Sequence, residues 1–131
     1  MNSITVTVPV TVKAKLTEKL RERMINELTK TAEQMDLELK QLNIDRQREL
    51  NQHPEHVEQI VRYFGVEAQK RQQTREDVLN RKETLEKLTL GAEIVQGTLE
   101  HQIELTVGDN FREIMNMEIL IEDDKIIAIR G

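Results

Sequence analysis

Three side chains near the middle of the chain have the residue types and spacing of metal ligands. His53 and His56 are three residues apart, and Glu55 lies between them. Two imidazoles and a carboxylate suit zinc and other divalent transition metals. A functional zinc site takes three or four protein ligands, however, and the sequence offers no further fixed ligand nearby. The favoured alternative is a solvated polar turn, so we predict no metal site here.

The other candidates for catalysis do not form a recognisable set. Glu122, Asp123 and Asp124 make an acidic turn, but the alternating oxygen ligands around a glycine that define a calcium loop are missing. His101 falls on the apolar face of a predicted strand and has no serine or cysteine nucleophile near it. The five glycines are scattered singly, which excludes a phosphate-binding loop. We therefore expect no enzyme, no cofactor and no small-molecule substrate.

A cluster of basic residues lies where the first predicted strand enters the first predicted helix. It could contact RNA phosphates, or it could be a solvated face whose cations pair with Glu18 and Glu22. Net charge bears on this choice: residues 93–131 hold nine acids and three bases, a net charge of −6, within a total of −5. That acidic end repels phosphate backbones. The cluster comprises Lys13, Lys15, Lys19, Arg21 and Arg23, and the last three are candidate partner-binding residues.

The first segment reads as a β-strand. Aliphatic residues alternate with Thr, Pro and Lys from Ile4 to Val12, which places the aliphatic side chains on one face. Pro9 has no N–H to donate, so this strand is expected at a sheet edge or at a bulge. We assign residues 1–14 to an N-terminal strand that joins a β head.

Residues 15–90 are predicted to form a helical hairpin. Thr17 is the expected N-cap of a first helix that runs to about Leu50. Residues 51–54 break the helix, and Pro54 can open the second one. The apolar residues of the first helix follow alternating spacings of three and four, which indicates a coiled-coil seam. They are Ile25, Leu28, Ala32, Met35, Leu39 and Leu42.

Some apolar residues of the first helix lack an obvious partner in this hairpin. Residues 69–77 of the second helix include no aliphatic side chain, so Met35 would face polar groups. Leu37 and Ile44 lie off the main seam altogether. We predict that Met35, Leu37 and Ile44 contact a second chain, most simply a second copy in a homodimer.

Residues 91–131 are predicted to form the C-terminal β head. Gly91 ends the helical region. Short runs of alternating aliphatic residues follow, with turn signals at residues 108–109 and 123–124. With the first strand they predict a small antiparallel sheet or barrel formed by both chain ends. The expected fold is therefore α+β, with a long antiparallel two-helix coiled-coil hairpin on this β head.

The order of these segments resembles the YlqD-like family. The resemblance is carried by the opening strand Ile4–Val12, the Leu-Thr-Glu-Lys at Leu16–Lys19, the Leu-Gly-Ala-Glu-Ile at Leu90–Ile94 and the Val-Gly-Asp at Val107–Asp109. It implies a bacterial protein of uncharacterised function, from a family whose genes often neighbour those for ribosomal and RNA-processing proteins. That neighbourhood implies a link to translation, and the family offers no agreed active site to carry over.

Three functions fit the sequence. The first is an interaction or scaffold protein that self-associates through its hairpin. The second is a ribosome- or RNA-associated accessory factor, and the third is a chaperone clamp that is prefoldin-like in shape. No signal peptide or membrane-length apolar run is found, so we expect a cytoplasmic protein without membrane contact.

Overall fold

The computed structural model describes residues 1–131, which divide into two compact units. The sheet unit contains Met1–Arg21 and Leu88–Gly131, and the hairpin unit contains Glu22–Lys87. The α+β class predicted from the sequence is confirmed. In chain order, the elements are β1 (Ser3–Lys15), α1 (Glu18–Gln52), a 3-10 turn (Pro54–His56), α2 (Val57–Lys87), β2 (Glu93–Thr106), α3 (Phe111–Met115), β3 (Glu118–Glu122) and β4 (Lys125–Arg130).

The four strands form one sheet in the order β2-β1-β3-β4. Strands β1 and β2 pair antiparallel along their whole lengths, from Ser3 opposite Thr106 to Lys15 opposite Glu93. Strand β3 runs parallel to β1 and pairs only with residues 11–14 of it. Strand β4 pairs antiparallel with β3. The sheet is therefore a long two-stranded ribbon with a short hairpin attached beside one end.

The prediction of an antiparallel sheet or a barrel was wrong in both respects. The sheet is mixed, because the chain between β2 and β3 crosses to the other side of β1 and so makes β3 parallel to β1. The sheet is also open, since β2 and β4 are its two edges and do not pair. Strands β3 and β4, with five and six residues, are too short to cover the 13- and 14-residue strands of the ribbon.

One helix of the sheet unit was not predicted. The alternating aliphatic residues between the turn signals at residues 108–109 and 123–124 predict only a strand there, but Phe111–Met115 forms α3. Asn110 caps this helix, because its Oδ1 accepts a hydrogen bond from the backbone N–H of Glu113 at 3.1 Å. An asparagine followed three residues later by a glutamate is a helix-start signal, so the sequence did contain the information.

The junction between β1 and α1 is fixed by several hydrogen bonds. Thr17 is the N-cap of α1, as predicted: its Oγ1 accepts from the backbone N–H of Leu20 at 3.1 Å. The same hydroxyl donates to Asp123 Oδ1 at 2.8 Å. Leu16, only 1% exposed, donates its N–H to the Ala92 carbonyl and accepts from the N–H of Gly91. The hydrogen bonding between β1 and β2 is thereby extended to Leu16, the residue just before the N-cap Thr17.

In the hairpin unit, α1 and α2 run antiparallel. Arg75 pairs with Asp36 at 2.7 Å, and Arg71 pairs with Glu38 at 3.4 Å. The residue numbers of the partners thus increase along α1 as they decrease along α2. These ion pairs lie in the stretch of α2 that has no aliphatic residue, so polar contacts join the helices there. Between the helices, Ala32, Ile60 and Phe64 are buried. Neither helix has the length and apolar character needed to cross a membrane.

A two-residue turn connects β3 to β4. Asp123 and Asp124 both have positive φ, 45° and 69°. This is the backbone of a type I′ turn, whose twist matches that of the flanking strands. A residue other than glycine pays a steric penalty in this region because its Cβ approaches the carbonyl oxygen.

We expect Asp124→Gly to raise the free energy of unfolding by about 0.5–1 kcal/mol, because glycine adopts positive φ without that penalty. Urea unfolding followed by circular dichroism measures the change. Asp124→Ala is the matched control, since alanine keeps the Cβ and should not stabilise. A glycine variant that is less stable than the alanine variant would contradict the assignment of strain to this residue.

Candidate functional site

The outer side of α1 in the hairpin unit carries two exposed aliphatic residues. Leu37 is 60% exposed and Ile44 is 54% exposed. They are seven residues apart, which places both on the same side of the helix. Ala32, in the buried seam, lies about 140° around the helix axis from Leu37 at 100° per residue. Leu37 and Ile44 therefore face away from α2, and Met35, also predicted to bind a partner, is half-buried.

A groove runs along one flank of the hairpin near the turn. Its volume is about 550 Å³. Tyr63, 60% exposed, packs edge-on against Phe64 with the ring centroids 5.0 Å apart. The walls combine apolar and charged side chains. The lining residues are Leu42, Asp45, Arg48, Glu49, Gln59, Ile60, Tyr63 and Phe64.

The opposite flank has a smaller groove of about 240 Å³. Leu39 and Leu42 form its apolar part with Phe64 and Ala68, and Arg46 is among its polar residues. Of the six predicted seam residues of α1, only Ala32 is buried, and the other five are half-buried. A single facing helix thus covers the seam incompletely.

The basic cluster of the sequence does not form one free cationic surface. Arg21 donates to the Leu88 carbonyl oxygen through Nη2 and to Glu18 through Nη1 at 3.3 Å, and its side chain is only 18% exposed. Lys13 pairs with Glu118 of the neighbouring strand. Lys19 and Arg23 are exposed, and neither makes an ion pair. The engagement of Arg21 depends on a residue 67 positions away, so spacing alone could not reveal it.

The two histidines at the hairpin turn contact one carboxylate. Glu55 Oε1 lies 3.4 Å from His53 Nδ1 and 3.6 Å from His56 Nε2, and all three side chains are about half exposed. A hydrogen bond from its own backbone N–H, and then one from His53, lower the pKa of Glu55. No group of three or more His, Cys, Asp or Glu side chains is arranged to hold a metal ion. This arrangement can make ion pairs with protonated histidines.

In the sheet unit, an ion pair joins the two edge strands. Arg130 of β4 donates to both carboxylate oxygens of Glu93 of β2, at 2.8 and 3.2 Å. Two strands lie between β2 and β4, so the sheet must curl to bring these side chains together. The hydrogen bond from Arg130 lowers the pKa of Glu93, and the same bond raises the pKa of Arg130. His101, opposite Val8 in the ribbon, is exposed.

These features define an α+β protein with a helical hairpin, an open mixed sheet and several exposed apolar or charged surfaces. The YlqD protein family matches residues 4–130, so the chain belongs to that family, and the resemblance noted from the sequence is confirmed.

A crystal structure of a protein of unknown function from Synechococcus sp. WH 8102 has the same fold. The two chains superpose with a TM-score of 0.90 and 24% sequence identity, over 98% of this chain and 97% of the other. At that identity the likeness establishes the fold alone. A comparison with curated proteins finds no match.

The partners of Arg21 predict a structural role. Arg21→Ala should lower the free energy of unfolding by about 1–2 kcal/mol, because it leaves a helix-end carbonyl without its donor and removes a half-buried stem. Lys19→Ala and Arg23→Ala are the controls, and each should stay within about 0.5 kcal/mol of the parent. Equal effects of all three substitutions in urea unfolding would contradict the assignment.

The Glu93–Arg130 pair predicts a pH dependence. Because the folded-state pKa of Glu93 is lowered, its contribution to stability is present above the ordinary carboxyl pKa and is lost as pH falls through the folded-state pKa. Arg130→Gln should raise the pKa of Glu93 toward its ordinary value in an NMR titration. Arg112→Gln, at an exposed arginine outside the ion pairs, should leave the titration unchanged. A Glu93 pKa that does not respond to Arg130→Gln would refute the pairing.

Proposed function

We propose that the protein is a non-enzymatic interaction protein that self-associates through its helical hairpin. The observation that carries this proposal is the exposed pair Leu37 and Ile44, on the side of α1 that faces away from α2. Two aliphatic residues at heptad spacing are what one helix presents to another in coiled-coil packing. Each side chain is already partly buried in the monomer, so burying the rest would contribute about 1–2 kcal/mol.

A second copy supplies a complementary stripe. When two α1 helices lie antiparallel about a two-fold axis, Leu37 of one copy can lie opposite Ile44 of the other. Residues that face each other in an antiparallel pair have residue numbers with a constant sum. Glu33 and Arg48 have the same sum as Leu37 and Ile44, so the same register sets Glu33 opposite Arg48. Glu33 is exposed and without an ion pair, and Arg48 makes only a 3.7 Å contact with Asp45. An isologous dimer therefore gains two apolar contacts and two ion pairs.

The alternative functions are less well supported by the same surfaces. RNA or ribosome binding would draw on the basic cluster, but Arg21 and Lys13 are occupied by intramolecular acceptors. That leaves Lys15, Lys19 and Arg23, none of which makes an ion pair, so fewer cations are available than the five of the sequence cluster. A prefoldin-like chaperone would use the exposed apolar residues of the hairpin for unfolded clients instead of for a second copy.

Sedimentation velocity over a range of protein concentrations tests the proposal. The parent chain should sediment as a dimer at high concentration, and Leu37→Glu/Ile44→Glu should sediment as a monomer because the carboxylates cannot be buried in the interface. Val66→Glu is the matched control: Val66 is 50% exposed on α2, so the same change there should leave the dimer intact. A parent chain that is monomeric throughout would overturn the proposal.

Charge exchange tests the register separately. Glu33→Arg should weaken the dimer by placing two cations opposite each other, and Glu33→Arg/Arg48→Glu should restore it. If the double variant does not recover the dimer, the antiparallel register is excluded. Self-association itself would still be decided by sedimentation velocity of the parent chain.

A further inference from the structure

The outer edge of β2 is a long strand edge without a neighbour. Strand β2 has 14 residues and is the first strand in the order β2-β1-β3-β4, so β1 is the only strand that pairs with it. An unpaired edge presents a row of backbone N–H and C=O groups that another chain can join as an added strand.

The alternation of odd- and even-numbered residues along each strand identifies which backbone groups face outward. On β1, the N–H of Thr11 donates to the Met117 carbonyl, on the side of β3. Groups of alternate residues in a strand point to opposite sides, so even-numbered β1 residues such as Val8 and Val10 bond to β2. Their partners on β2 are the odd-numbered His101 and Leu99. The even-numbered β2 residues therefore direct their backbone groups outward.

Two hydrogen bonds at the end of β2 agree with this assignment. The N–H of Val107 donates to the Asn2 carbonyl, toward β1. The N–H of Thr106 points the other way and donates to Asp109 Oδ2 at 2.8 Å. The outward groups that remain free belong to Thr98, Glu100, Gln102 and Glu104.

The backbone of this edge is open to strand addition. Free edges are commonly blunted by proline, by a bulge or by charged side chains, lysine above all. Strand β3 leaves one edge of β1 uncovered before residue 11, and Pro9 lies in that part. Pro9 is odd-numbered like Thr11, so its nitrogen faces away from β2. Strand β2 has no proline and no lysine, and its bulge lies near Gly97, before the free segment. One edge of the ribbon is thus blocked and the other is open.

The charge of the open edge selects the partner. Glu100 and Glu104 lie on the same face as the Gln102 side chain, and neither makes an ion pair, whereas Glu93 is already held by Arg130. Strand β2 contains no Lys or Arg. A second β2 would therefore add further unneutralised carboxylates to the same strip, which disfavours self-pairing. A strand with Lys or Arg at alternate positions would neutralise them.

We propose that β2 binds an extended basic segment of another protein as a fifth strand of the sheet. The partner's Lys and Arg side chains pair with Glu100 and Glu104, and its backbone bonds to the outward groups of residues 98–104. Its intervening side chains lie on the face of Leu99, which is 55% exposed, and are expected to be apolar. The recognised pattern is an alternation of basic and apolar residues. This surface belongs to the sheet unit and is independent of the hairpin.

Fluorescence anisotropy with the full-length chain and a labelled peptide that alternates lysine and valine tests the proposal. Glu100→Gln/Glu104→Gln should weaken binding about tenfold, from the loss of two cross-strand charge pairs. Gln102→Pro should abolish binding, because it removes an outward N–H without touching the bonds to β1. Gln102→Ala is the matched control and should bind like the parent chain, and circular dichroism checks that each variant is folded.

Two further probes separate strand addition from simple charge attraction. The same peptide N-methylated at alternate residues keeps its charge but cannot pair along the edge, and it should not bind. Leu37→Glu/Ile44→Glu should bind the unmodified peptide like the parent chain, so failure of the dimer proposal leaves this one standing. Equal binding of the N-methylated peptide, unchanged binding by Gln102→Pro, or no binding of the lysine–valine peptide would each overturn the proposal.

Discussion

The antiparallel pairing of β1 with β2 is the constraint on which the sheet unit depends. It joins the two ends of the chain from Ser3 opposite Thr106 to Lys15 opposite Glu93, and Leu16 extends it through its bonds to Gly91 and Ala92. Most of the buried side chains of the unit follow from this ribbon, including Val8, Val10 and Leu16. The start of α1 and the chain beyond α2 are both anchored to it, because Arg21 binds the Leu88 carbonyl.

The hairpin unit has a different balance of forces. Its middle is joined by ion pairs of Arg71 and Arg75 whose side chains remain partly exposed, and exposed ion pairs contribute little to stability. Apolar burial between the helices is limited to a few residues such as Phe64. Several aliphatic side chains are consequently left on the flanks and on the outer side of α1. Association with another chain would bury surface that the hairpin alone cannot cover.

Local rules predicted the features of the fold that depend on a few neighbouring residues. The alternation in β1, the cap at Thr17 and the turn at residues 123–124 were all readable from the sequence. The parallel pairing of β1 with β3 was not, because nothing local specifies on which side of β1 the chain returns. The role of Arg21 was missed for the same reason, since its acceptor is distant in sequence. Leu37 and Ile44 could be identified as candidates because helical periodicity determines which side of α1 they occupy.

Pulsed dipolar electron resonance on a chain with one spin label tests the central claim, self-association along the outer side of α1, most directly. The protein has no cysteine, so Gln47→Cys, an exposed position on α1 beside the stripe of Leu37 and Ile44, gives a single labelling site outside the proposed contact. A monomer with one label has no second spin to report. The account predicts a defined short distance between labels on two copies, absent when Leu37→Glu/Ile44→Glu is introduced. A labelled chain without dipolar modulation at concentrations well above those in the cell would contradict it.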